Sequence, residues 1–248
     1  FTNCPADILA VPNDVGQCGA SVTWQEPTVN GNCIPTVNVT YASGSFFPVG
    51  NTMVTYEATS AGNVLATCSF SVEVVDNEAP VLTNCPDTVT AETAYGNCSV
   101  AVNWGIPTPH DNCYAPPPVC SELNGGTFSV GMTLATYTTS DAAGNSVSCD
   151  FVIHVVDTVS PGFAFCPQDI TLNPASGCEA AATWTIPIPS DNCSVDTLFC
   201  GPWNSGDNFP AGTTTLIYTT ADESGNLAIC SFDVTVIDTQ PPTVTNCP

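Results

Sequence analysis

Apolar and polar side chains alternate through residues 64–76. Counting from Cys68, the positions Cys68, Phe70, Val72 and Val74 share one face, and Ser69, Ser71 and Glu73 share the other. A period of two is that of a strand with one side buried. Residues 52–59 bring Val54 and Tyr56 to one face, and residues 20–24 do the same for Ala20, Val22 and Trp24. No window carries the 3.6-residue period of a helix. Gly-Asn pairs at 62–63, 144–145 and 225–226 mark turns just before the last strand of each set,. Short strands separated by turns predict an all-β chain of tandem immunoglobulin-like sandwiches joined end to end.

The pattern recurs. Cys-Pro stands at Cys4, Cys85, Cys166 and Cys247, always 81 residues apart. Phe47, Phe128 and Phe209 keep that step, as do Tyr56, Tyr137 and Tyr218, and Cys68, Cys149 and Cys230. A second set steps by 80: Cys18, Cys98, Cys178; Trp24, Trp104, Trp184; Cys33, Cys113, Cys193. Repeats at a fixed period define modules. The expected division is 1–79, 80–160 and 161–241, with 242–248 as the first strand of a following repeat. Both ends are cut in the same phase, which is expected of an excerpt from a longer array or a subunit that continues into a neighbour.

The recurrent pattern is Cys-Pro, then Trp-x-x-Pro, then Asp-Asn-Cys, then Phe-Pro-x-Gly, then Asp-x-x-Gly-Asn, then Cys-x-Phe-x-Val-x-Val-x-Asp. In the third these are Cys166-Pro167, Trp184 with Pro187, Asp191-Asn192-Cys193, Phe209 to Gly212, Asp222 to Asn226, and Cys230 through Asp238. This order resembles the hyalin repeat (HYR) module over essentially the whole chain. The version with a cysteine in Asp-Asn-Cys resembles bacterial secreted proteins. The first repeat departs twice, with Gly31-Asn32-Cys33 and with Ser60-Ala61-Gly62-Asn63 lacking the acidic residue. The resemblance implies an immunoglobulin-like fold, a role in extracellular adhesion, and no catalysis.

Charge narrows the partners. There are 23 acidic residues, no Lys or Arg and only 2 His, for a net charge of −23. Such a chain cannot neutralise nucleic-acid phosphates, and it has no basic patch for anionic lipid. No apolar run is long enough to span a membrane. Self-repulsion must be met by spacing, by salt or by bound cations. Acidic residues beside prolines at the repeat ends make calcium the candidate cofactor. The candidate ligands are Asp76, Glu78, Asp157 and Asp238 at the ends, joined by the turn residues Asp141 and Asp222,.

Fifteen cysteines with no CxxC pair favour disulfides over zinc, and hence an oxidising compartment outside the cytosol,. Cys68, Cys149 and Cys230 lie on core-facing strand positions, and the HYR resemblance points to the Cys-Pro cysteine as partner. That implies Cys4–Cys68, Cys85–Cys149 and Cys166–Cys230. The remaining recurrent cysteines are expected to close local loops as Cys18–Cys33, Cys98–Cys113 and Cys178–Cys193. Cys120, Cys200 and Cys247 are then left over and are expected to cross-link neighbouring chains. The alternative is a local rearrangement such as Cys113–Cys120 with Cys98 released.

Other candidate residues carry less. His110 lies in a loop and His154 on a polar strand face, at non-equivalent positions with no nucleophile placed to use them, so no enzyme is expected. Trp24, Trp104 and Trp184 share a face with Val and Ala, which favours core packing over a sugar-stacking ladder. Trp203, in a loop of the third repeat, is the better ligand or lateral-contact candidate. Asn38, Asn97 and Asn192 occupy Asn-x-Ser/Thr sequons,. The expected function is an extracellular, secreted or cell-surface fibre or stalk, partnered by copies of itself. The competing readings are an adhesin binding surface glycans or protein through its loops, and a spacer beside a catalytic domain outside this chain.

Overall fold

The computed structural model describes all residues except 32–34, 175–176 and 242–248. Among the described residues every regular element is a strand. In the first repeat, Gly50–Ser60 and Asn63–Val75 form a long antiparallel hairpin. Thr36–Val39 adds antiparallel to one side, and Ile8–Pro12 runs parallel to the last strand on the other. A second, two-stranded sheet pairs Gly19–Ser21 with Phe46–Pro48. The alternation read from the sequence places the core. Val54, Tyr56 and Ala58 face the same side as Cys68, Phe70, Val72 and Val74, and all are at most 4% exposed. Ala20, Val22 and Phe47 close the core from the smaller sheet. Each large side chain so buried contributes about 1.5–3 kcal/mol.

The third repeat repeats the plan. Gly212–Asp222 pairs with Leu227–Val236, Val195–Cys200 adds antiparallel, and Ile170–Leu172 adds parallel. In the middle repeat Val119–Cys120 pairs antiparallel with Gly131–Ser140, and Val89–Glu92 runs parallel to Ser146–Val156. Gly50, Gly131 and Gly212 take φ of 110°, 123° and 118° where the chain enters the long hairpin, a conformation that only glycine adopts without strain,.

By contacts the chain divides into two compact units whose edges do not follow the repeats. One holds residues 1–87, 104–124 and 134–152, and the other 88–103, 125–133 and 153–248. The first unit contains the whole of the first repeat, and the loops and strands of the second that pack on its end. The second unit contains the same arrangement between the second repeat and the third.

The three tryptophans sit in the cores as expected. Trp24 lies 5.2 Å from Phe70, Trp104 5.3 Å from Phe151 and Trp184 5.5 Å from Phe232, between ring centroids. Their indole N–H groups donate to the hydroxyls of Tyr56, Tyr137 and Tyr218 at 2.9, 2.9 and 2.8 Å. The sequence places Trp and Tyr on buried faces but does not reveal that they bond to each other.

Candidate functional site

Within each repeat the structure bonds the Cys-Pro cysteine to the last strand: Cys4–Cys68, Cys85–Cys149 and Cys166–Cys230, with Cα separations of 5.8, 6.3 and 5.7 Å. The local loops expected for the second set do not form. Cys18 is bonded to Cys113, with Cα atoms 4.6 Å apart, and Cys98 to Cys193, with Cα atoms 4.7 Å apart. Cys18–Cys33, Cys98–Cys113 and Cys178–Cys193 are therefore corrected, and Cys33 itself lies outside the described residues. The cause is the fold. The Asp-Asn-Cys loops of the second and third repeats lie against the end of the repeat before. A bond spanning 95 residues is one 80-residue step plus the 15 residues that separate the two cysteines inside a repeat.

Hydrogen bonds place that loop. Asp111 Oδ2 accepts from the backbone N–H of Cys113 and Tyr114, which shapes the turn that presents Cys113. Asn112 Nδ2 then donates to the carbonyl of Gln17 at 3.1 Å and to Asp76 Oδ1 at 3.0 Å. From the Gly-Asn turn, Asn145 Nδ2 donates to the Asp76 carbonyl at 3.1 Å and to Asp141 Oδ2 at 2.7 Å. The second junction reproduces the cysteine turn and the asparagine contacts. Asp191 Oδ2 accepts from the Cys193 N–H, and Asn192 Nδ2 donates to the carbonyl of Asn97 and to Asp157 Oδ1. Asn226 Nδ2 donates to the Asp157 carbonyl and to Asp222 Oδ2.

The hydrogen bonds leave oxygens over. Asp76, Asp111 and Asp141 bring carboxylate oxygens within 4.8 Å of one another, and Asp157 and Asp191 meet beside Cys193. Cys193 is disulfide-bonded and offers no thiolate. Asp111 Oδ1 and Asn112 Oδ1 at the first junction are buried without a hydrogen-bond partner, as are Asp157 Oδ2, Asp191 Oδ1 and Asn192 Oδ1 at the second. Asp157 is only 2% exposed. Burial opposes ionisation of Asp157, but hydrogen bonds from Thr93, the Val159 N–H and Asn192 outweigh it and hold its carboxyl below the usual carboxylate range. At Asp141 burial is likewise outweighed, by the side chain and backbone of Asn145 and the backbone N–H of Gly144. Carboxylates packed together with unpaired oxygens, in a chain without Lys or Arg, offer the oxygen-donor chemistry that hard divalent cations take,.

Of the six candidate cation ligands, Asp76 and Asp141 meet in one cluster and Asp157 lies in the other. Asp222 is buried and occupied by Asn226. Glu78 stands apart, accepting from Asn13 Nδ2 and the Gly16 N–H at 2.8 Å each. Asp238 is exposed. The sequence does not mark Asp111, Asn112 or Asp191 as ligands, and it marks Asn192 only as a sequon; the repeated Asp-Asn-Cys string is their shared signal.

Cys120 and Cys200 are half-buried and unpaired, each opposite a core tyrosine, Tyr137 and Tyr218. Burial raises both phenols above their ordinary value, opposed by the tryptophan hydrogen bonds and reinforced by the neighbouring thiols. Cys247 lies outside the described residues. Trp203 is half-buried and stacks on Phe209 at 4.5 Å, at the edge of a cavity of about 360 Å³. His110 is exposed on a short strand paired with Val81–Thr83, and His154 pairs with Thr90. Asn38 and Asn97 are exposed. Asn192 spends both Nδ2 hydrogens on the junction, so a glycan there would remove one of its two donations.

Immunoglobulin-like modules, each stapled internally and the first two each bonded to the following one, define a class: a disulfide-linked tandem array. The HYR domain matches residues 2–74, 75–155 and 156–236, and the chain belongs to that family. Hyalin of Strongylocentrotus purpuratus is 35% identical over 253 residues, covering 97% of this chain and 21% of that protein. Hyalin of Lytechinus variegatus is 33% identical over 242 residues, covering 93% and 46%. The Sushi, von Willebrand factor type A, EGF and pentraxin domain-containing protein 1 of Mus musculus is 31% identical over 172 residues, covering 65% and 4%. The chain thus spans less than half the length of either hyalin. All three relatives are animal proteins, so they lend no support to the bacterial type inferred from Asp-Asn-Cys. The cysteine of that loop is accounted for by its bond to the preceding repeat.

Proposed function

We propose that the chain is part of an extracellular structural or adhesive array in which consecutive modules are locked to one another covalently and by calcium. The observation that carries this reading is the junction. A disulfide ties Cys18 to Cys113, and beside it lie the carboxylates of Asp76, Asp111 and Asp141. The second junction repeats the disulfide, with Asp157 and Asp191 beside it. Calcium takes 6–8 oxygens from carboxylates, amide carbonyls and water, a set that these Asp and Asn side chains begin to supply. Disulfides of this density belong to an oxidising compartment, which agrees with a secreted or cell-surface location. The HYR modules of hyalins support a non-catalytic role. Copies of the same module are the natural neighbours, and filament formation follows from such end-to-end repetition.

Electron microscopy of the native material tests the array reading. Long polymers of regular beads are expected, and isolated globular particles would contradict it. The competing adhesin reading rests on Trp203, half-buried against Phe209 at the edge of its cavity.

A further inference from the structure

The third repeat presents the same docking face that the first two repeats have covered. Cys178 occupies the position of Cys18 and Cys98. The three carbonyls accept equivalent backbone bonds, from the N–H groups of Val49, Val130 and Ala211. Cys18 and Cys98 are bonded to the following module, whereas Cys178 is exposed and unpaired. Asp238 occupies the position of Asp76 and Asp157. Its Oδ1 accepts from the Gln240 N–H at 2.9 Å, as theirs accept from the N–H groups of Glu78 and Val159 at 3.2 and 3.1 Å. Asp76 and Asp157 are 6% and 2% exposed beneath the asparagines of the next module, whereas Asp238 is exposed. The backbone at the thiol and the carboxylate turn of this face thus keep the hydrogen bonds seen at the two docked faces.

We infer that Cys178 and Asp238 form the acceptor face for a further HYR module carrying an Asp-Asn-Cys loop and an Asp-x-x-Gly-Asn turn. The incoming asparagines would donate to Asp238, as Asn112 and Asn145 donate to Asp76. The incoming cysteine would close a disulfide with Cys178. With a low-molecular-weight disulfide as oxidant, the Cys178 thiolate attacks one sulfur and expels a thiolate. The incoming cysteine thiolate then attacks the Cys178 Sγ and expels the second. Two cysteines are oxidised, one disulfide is reduced to two small thiols, and the two protons lost by the cysteines end on those thiols. The inference rests on the junction reading of the proposed function and names its next partner.

The test extends the full chain after Pro241 with a copy of residues 161–241. The product is folded in a buffer of oxidised and reduced glutathione, blocked with an alkylating reagent, and digested with pepsin for mass spectrometry. Loss of alkylation at Cys178 is expected, with one linked peptide joining it to the Asp-Asn-Cys cysteine of the appended module. In the Cys178→Ser variant of the extended chain, that cysteine should become alkylated. Alkylation of Cys178 in the extended chain, or its linkage to any other cysteine, would overturn the inference. The Cys18–Cys113 and Cys98–Cys193 peptides are read in the same digest. If they are present while Cys178 is alkylated, only this inference fails. If they are absent, the junction reading fails as well.

Discussion

Cys18 in the first repeat is bonded to Cys113 in the second, with Cα atoms 4.6 Å apart across 95 residues of chain. A crosslink closing a loop of that length stabilises by about 4.7 kcal/mol in the chain-entropy description, more than the ~3 kcal/mol of a fifteen-residue loop. Replacing Cys113→Ser should free Cys18 for alkylation, leave Cys98 bonded, and lower the melting temperature. Exposure of Cys98 in place of Cys18 would contradict the assignment. The complementary change, Cys98→Ser, should expose Cys193.

The junction oxygens predict a calcium response. Melting by calorimetry should shift upward with calcium and downward with chelator. A ligand at a hundred times its dissociation constant adds about 2.7 kcal/mol. The double variant Asp111→Asn, Asp191→Asn should lose most of the shift, because it removes charge from both clusters and leaves the turns and disulfides in place. Identical melting in calcium and in chelator would reject the cation site.

Acid should loosen the junctions. Asp141 and Asp157 have native carboxyls held below the ordinary aspartate value, which is about 3.9 in an unfolded chain. A depressed native value adds stability that is complete above the unfolded value and is lost as pH falls through the native one. Stability should thus be flat near neutrality and decline only below about pH 4. Asn145→Ala removes a donor to Asp141 and should move the acid midpoint upward, as followed by tryptophan fluorescence against pH. An unchanged midpoint would show that the Asn145 bonds do not hold the charge.

The indole–phenol bonds can be weighed singly. Tyr137→Phe removes the acceptor of Trp104 Nε1 and keeps the ring. The cost should be about 0.5–1.5 kcal/mol, plus a penalty for any N–H left dry. Denaturant melts at equal m-value measure it.

The strands were legible because one buried face per strand writes a period of two into the sequence, as in Cys68 to Val74. The module count was legible from the fixed steps of Cys-Pro and Trp. The junction was not, because a repeat presents the same fifteen-residue spacing whether Cys18 bonds within its own module or Cys113 reaches back from the next. Periodicity cannot distinguish a contact from its translate by one period. The Asp-Asn-Cys string held the missing information, since Asp111 and Asn112 shape and anchor the loop that Cys113 tips. The stacking of Trp203 on Phe209 was not legible either, because a tryptophan in an irregular loop carries no periodic mark of its partner.

The central claim is that consecutive modules are covalently joined, and disulfide mapping of the native chain tests it most directly. The chain has no Lys or Arg for trypsin, so the thiols are blocked in acid and the protein is cut with pepsin before mass spectrometry without reduction. The account predicts linked peptides joining Cys18 to Cys113 and Cys98 to Cys193. A peptide joining Cys98 to Cys113 would contradict it.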